Sequence, residues 1–270
     1  MATQRADDRA VPEPARATVV VVGGHEGGRT VALEPLAEHG PLLRTVPGQQ
    51  LVDTVHQALD NLDQPVCVVP MTLGRDPHLV ADTARSLTGL TGLTGEGVAG
   101  RVMLADPFGD ATLLTGWLRV AVSRAAGQLG ETDLAVLVTA KAHNRYDDAE
   151  LVRIAHLVRA QENVPWVEVA FHGGDPDLAA GVERCRRLGA RQIAVVSASF
   201  EPATERPVPG VVDCGTLLTS AAISGMVATR VAAAMIKLSR GDDGITAGLD
   251  ADHEHGHGGE PWHERGPEGG

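Results

Sequence analysis

Short apolar runs alternate along this chain with longer stretches in which apolar residues recur every three or four positions. The clearest run is Thr18-Val-Val-Val-Val-Gly23, four valines closed by Gly23-Gly24. So short a run bounded by glycine predicts a strand buried on both faces of a parallel sheet. Residues 42–46 predict a short second strand and 65–73 a third, buried like the first. Residues 100–109 read as a strand entering a Pro/Gly turn. Between these runs, 50–62 place Leu51, Val55, Leu59 and Leu62 on one helical face. Helices are also predicted over about 79–88 and over 111–128, where Leu113, Leu114, Trp117, Leu118 and Val122 form a broad apolar face. A weaker helical pattern at 29–39 is interrupted by Pro35. Residues 88–97, where Leu-Thr-Gly recurs, read as a surface loop.

From Asp133 the order starts again, with strands at 133–139, 166–171, 192–200 and 210–215 and helices at 147–159, 177–188 and 217–238. Both halves follow strand, helix, strand, helix, strand, strand, helix, an internal duplication of about 115 residues. Strands alternating with helices imply right-handed crossovers, hence an α/β chain with a doubly wound parallel sheet in each half. The expected division is a disordered leader at 1–16, similar domains at 17–130 and 131–240, and a disordered, acidic, His-rich tail at 241–270.

Composition narrows the function. A formal charge of −12 argues against nucleic acid, because no basic field is available to neutralise phosphates. Cys67, Cys185 and Cys214 are odd in number and lie in apolar segments, which predicts buried free thiols in a reducing compartment and no disulfide or zinc motif. The N-terminus has no apolar signal region and no run reaches a membrane span, so a soluble, cytoplasmic protein is expected. Residues 23–28 do not make a dinucleotide fingerprint and no Walker pattern occurs, so no nucleotide is expected.

Two histidines stand where chemistry is expected. His25 follows the first strand and His78 ends the loop leaving the third. Ligands of open α/β sheets bind at the C-terminal strand ends, so the two imidazoles can be aimed into one cleft. His56, His143, His156 and His172 read as structural or surface residues. In the tail, His253, His255 and His257 alternate along the chain and read as a weak metal-collecting segment.

Val22-Gly-Gly-His25, Val68-Val-Pro-Met-Thr-Leu73 and the stretch from Gly74 through His78 to Asp82 resemble the class II chelatases of the CbiX type. Ala105-Asp-Pro-Phe-Gly109 is similar to the Pro-Leu-Gly turn that ends each half in that family, and 150–157 and 176–194 to its helix–strand units. The resemblance covers 17–238 as the long, two-domain form. It implies a lyase that inserts a divalent metal into sirohydrochlorin without ATP, with cobalt, in cobalamin synthesis, favoured over nickel or iron. His25 and His78 would be metal ligands or proton acceptors, since neutral imidazole is both a borderline ligand and a base. Glu26 would be a third ligand or a base. Arg29 and Arg75 would clamp substrate carboxylates.

The chain also departs from the family. His25-Glu26-Gly27 replaces His-Gly-Ser, and a family glutamate falls on Thr45. The position matching His25 in the second half falls near Ala140, so a single site is expected in the N-terminal half, with the C-terminal half as cleft wall. Expected partners are the tetrapyrrole and metal or pathway proteins, with no nucleic acid and no membrane. The alternatives are a non-catalytic metal- or tetrapyrrole-binding relative and a two-lobed small-molecule binding protein, which the missing signal peptide disfavours.

Overall fold

A computed structural model of the chain describes residues 17–27, 42–62, 64–93, 100–203 and 208–251. The first half contains β1 (Thr18–Gly23), β2 (Leu42–Thr45), α1 (Gln49–Asn61), β3 (Val66–Met71), α2 (Pro77–Leu93), β4 (Val102–Leu104) and α3 (Ala111–Leu129). The second contains β5 (Leu134–Lys141), α4 (Arg145–Gln161), β6 (Trp166–His172), α5 (Leu178–Arg187), β7 (Gln192–Ser197), β8 (Val212–Asp213) and α6 (Ser220–Leu238), and α7 (Ile245–Leu249) follows. The strands form two wholly parallel sheets of the same topology, β2-β1-β3-β4 and β6-β5-β7-β8. The duplicated α/β architecture read from the sequence is the architecture of the structure.

Strand alternation builds the layers, because successive side chains leave a strand on opposite faces. Val20 and Val22 pack with Val66, Val68 and the Leu51–Val55 face of α1. Val21, Cys67 and Val69 join the central core, which also takes Val136 and Val138 of β5, Leu151 and Ile154 of α4, and Leu114 and Leu118 of α3. The outer face of the second sheet is closed by Val182 and Cys185 of α5.

The halves also exchange covering helices. α3 ends the first half in sequence but packs on α4, β5 and β7, while α6 ends the second half and packs on β3 and β4. Lys237 of α6 pairs with Asp106 at 2.7 Å, and Arg230 donates to the Phe108 carbonyl at 3.3 Å. A cut between 130 and 131 divides the sequence but not the packing.

Some boundaries differ from the sequence reading. α2 runs on to Leu93, into the stretch expected to be a loop, because buried Leu87 and Leu90 outweigh the poor helix propensity of Thr88 and Gly89. The stretch expected to lack structure from Gly241 begins with a folded segment. In α7, Ile245 is buried and Gly248 lies against Leu104 and Ala84. Helix α6 is long and apolar enough to span a membrane by length and composition, with mean hydropathy 1.4, contrary to the expectation that no run would be. Its Ile223–Val227 stripe is docked in the core instead. The leader, the pattern at 29–39 and the tail histidines lie outside the described residues.

Because each sheet borrows a helix from the other half, the intact chain is expected to unfold in one calorimetric transition. Residues 1–130 and 131–270, produced separately, should each lack a cooperative melt; two independent transitions in the intact chain would refute this coupling.

Candidate metal centre

The site is built where β1 and β5, the central strands of the two sheets, end. After β1 the chain passes through Gly24 into a single 3-10 turn, His25–Gly27. A Cβ at Gly24 would lie 2.5 Å from the Asp76 carboxylate, so glycine is what lets the strand exit approach that side chain. The Nδ1 of His25 lies 2.8 Å from Asp76 Oδ2, and Asp76 Oδ1 accepts the Leu79 N–H at 2.9 Å, capping α2. A carboxylate only accepts, so the hydrogen bond places a proton on Nδ1, and in the neutral imidazole the lone pair is then on Nε2. That Nε2 is buried and makes no hydrogen bond. A histidine braced by a carboxylate, its other nitrogen free, is the usual arrangement behind a metal-bound imidazole.

The second imidazole comes from the other half. His143 stacks on His25 with ring centroids 3.8 Å apart and planes 2° from parallel. His143 has its own acid, with Nε2 3.7 Å from Asp147 Oδ2. Asn144 caps α4 by accepting the N–H groups of Tyr146 and Asp147, and its amide donates to Asp147 at 2.6 Å. Ligand atoms of His25, Asp76 and His143 all lie within 4.8 Å of one another. Burial pushes the Asp76 carboxyl up, but the hydrogen bond and charge of His25, with the backbone N–H groups of Leu79 and His25, outweigh it and hold Asp76 below the usual range. For Asp147 burial prevails over the pull of His143 and His25, with Asp76 adding repulsion, and its carboxyl is raised.

Several sequence expectations are corrected here. His78 is not in a loop beside His25. The helix α2 already starts at Pro77, which puts His78 in its first turn, exposed and outside the cluster, while Asp76 holds the strand exit. The second histidine is His143, read from sequence as structural or surface. It stands two residues past the end of β5 at Lys141, as His25 stands two past the end of β1 at Gly23. The duplication therefore carries the histidine. It was missed because β5 is longer than β1, which moved the expected position to Ala140.

Glu26 and Arg75 are present but engaged elsewhere. Glu26 Oε2 accepts the Thr72 hydroxyl and, at 2.8 Å, the Leu73 N–H. Its Oε1 lies 3.3 Å from Arg75 Nε, and both side chains are 0% exposed. Glu26 is thus not available as a third ligand, and Arg75 cannot clamp a substrate. Instead Arg75 ties two loops together. Its Nη1 is 4.0 Å from Asp148 Oδ1, the atom that accepts the His143 N–H at 3.2 Å. Across the same junction the Phe200 N–H donates to the Glu26 carbonyl at 3.1 Å. Arg29, His253, His255 and His257 lie outside the described residues.

Beside Asp76 opens a cleft of about 430 Å³, between the ends of β3 and β4, the start of α3 and α7. Asp76, Asp106, Asp110 and Asp250 line it, with no Lys or Arg. Such a wall attracts cations and repels carboxylates.

No protein-family model matches the chain, and no curated protein matches it. Among solved structures, SirB from Bacillus subtilis with Fe3+ superposes with a TM-score of 0.53 over 84% of this chain and 99% of SirB, at 15% identity. A Deinococcus radiodurans multi-domain protein with structural similarity to chelatases and two additional novel domains gives a TM-score of 0.48 at 20% identity, over 80% of this chain and 54% of that protein. The chain shares the fold of SirB over nearly all of SirB's length.

Removing one partner of a buried ion pair leaves the other charge stranded, at a cost of about 3–5 kcal/mol. Arg75→Met and Glu26→Gln are each expected to lower stability on that scale in urea denaturation, and a loss under about 1 kcal/mol would contradict the tie. For Asp76 the folded carboxyl is depressed, so its stabilisation is complete above the unfolded value and is lost as pH falls through the folded one. The acid limb of stability between roughly pH 5 and 2 should therefore be shallower in Asp76→Asn than in wild type.

Proposed function

We propose that this chain inserts a divalent first-row metal ion into a tetrapyrrole without a nucleotide. The observation that carries the reading is the stacked His25–His143 pair, each imidazole backed by an aspartate, with a buried and unpartnered Nε2 on His25. Neutral imidazole binds cobalt, nickel and iron. His25 and His143 would supply two such ligands, with Asp76 held as the brace behind His25, and leave coordination positions open for incoming ring nitrogens. A chelatase needs such a site, because the ion must be held, partly stripped of water and then surrendered. As the ion passes to the ring, the lone pairs it frees on the imidazoles, together with Asp147, would take the two protons that the ring nitrogens release. The likeness in fold to SirB supports the same reading, as does the resemblance carried by Val22–His25 and Val68–Leu73.

Within this reading sirohydrochlorin is the substrate, and cobalt is the metal to test first, beside iron and nickel. The rival reading is a relative that holds metal without turnover. One observation favours it: Glu26, the extra acid beside His25, is consumed by Thr72, Leu73 and Arg75.

An anaerobic absorbance time course with sirohydrochlorin and Co2+, Fe2+ or Ni2+ tests both. Expected is conversion well above the protein-free rate, reduced at least about a hundredfold (about 2.7 kcal/mol) by His25→Ala and by His143→Ala and within about twofold of wild type in His78→Ala. Metal binding without conversion would leave the holding protein; sensitivity to His78→Ala and not His143→Ala would overturn the assigned pair.

A further inference from the structure

The site has two sides of opposite character. Toward Asp76 lies the acid-lined cleft. Around His143 the exposed side chains are different. Lys141 ends β5 two residues before His143, and Arg145 opens α4 two residues after it; both are exposed. Neither has an ion-pair partner among the described residues. Lys141 and Arg145 flank the candidate ligand and point their charge into solvent, while the acids of the same segment, Asp147 and Asp148, turn in toward His143 and its backbone. Beside them stands Tyr146, the only tyrosine of the chain, with its side chain in solvent (70% exposed). Arg145 lies over the Tyr146 ring, 4.8 Å from its centroid, and donates to its hydroxyl at 2.8 Å.

We propose that Lys141, Arg145 and Tyr146 form the seat on which a planar, carboxylate-bearing macrocycle is held over the His25–His143 pair. This rests on the proposed chelatase reading and names the residues that choose its organic substrate. The two basic groups pair with peripheral carboxylates, Arg145 in bidentate fashion. The phenol offers a flat aromatic face to a flat ring. On the Asp76 side, Asp110 and Asp250 line the cleft without a basic partner among the described residues and disfavour a polyanionic ring there, so ring and cation reach the imidazoles from different directions. Of the two groups named from sequence for this task, Arg75 is buried, and Arg29 lies outside the described residues. The seat belongs to the second half of the chain, so ring recognition and the Asp76-braced imidazole are divided between the two copies of the duplicated unit.

The test uses the whole chain without metal and follows binding of an octacarboxylate ring, uroporphyrin, and a tetracarboxylate ring, coproporphyrin, by absorbance and fluorescence. Expected is a rise in the uroporphyrin Kd of at least about tenfold (about 1.4 kcal/mol) in the Lys141→Ala, Arg145→Ala double variant. Tyr146→Ala should weaken binding severalfold and Arg145→Lys should recover part of the loss. Added salt should weaken the wild type more steeply than the double variant. The Co2+ affinity of all these variants should equal that of wild type, and Arg187→Ala should change neither ligand. Ring affinity in the double variant within twofold of wild type would overturn the seat while leaving the metal centre standing. A wild-type chain that binds Co2+ through His25 and His143 but no ring would overturn both the seat and the tetrapyrrole. Ring binding lost in the double variant, with Co2+ indifferent to His25→Ala, would uphold the seat and sink the metal centre.

Discussion

Two imidazoles that leave two different sheets stay face to face only if their loops cannot drift apart. The buried Glu26–Arg75 pair supplies that restraint. Glu26 follows His25 directly and is pinned to the end of β3 by Thr72 and Leu73. Arg75 reaches from it toward Asp148, which holds the backbone of His143. The arrangement is demanding. The guanidinium nitrogens are within ion-pair distance of carboxylates yet meet no hydrogen-bond geometry, and burying such a charge is costly. A tie of this kind persists because the core around it is closed: Phe200 packs on Phe108 with ring centroids 5.2 Å apart and closes over Gly27.

The helix exchange serves the same end on a larger scale. A duplicated α/β unit could have formed two beads joined by a linker, with the sheets free to rock. Here α3 lies on the second sheet and α6 on the first, and the central core takes side chains from both. Parting the halves would expose Leu114, Leu118, Ile154, Ile223 and Val227 together, each worth roughly 1.5–3 kcal/mol when buried. The sheets are thereby fixed well enough for ring contact between residues 118 positions apart.

Electrostatics then divides the site's surroundings. A cleft carrying four aspartates adjoins Asp76, while Lys141, Arg145 and Tyr146 stand exposed around His143. Each copy keeps one histidine with one aspartate, but the aspartate is buried and hydrogen-bonded at His25 and set back at His143. His143 is the more exposed of the two imidazoles, with 38% of its side chain in solvent.

Much of this was written in local pattern. Valine runs closed by glycine specify the strands, recurring leucines the helices, and the repeated order the duplication, because strand and helix periodicity are properties of neighbouring residues. His25 was legible for the same reason, as a histidine at a strand exit. Its partner was not. His78 and His143 both follow strands, and only the point at which α2 begins removes His78 from the cleft. Arg75 and Glu26 read as site residues because they neighbour histidines, yet sequence proximity says nothing about which side of the backbone a group faces. The local elements, the buried strands and the place of His25 at a strand exit were thus determined by sequence alone. The pairing of His25 with His143, the burial of Arg75 and the exchange of α3 and α6 were decided by tertiary packing, since each depends on contacts between segments far apart in the chain.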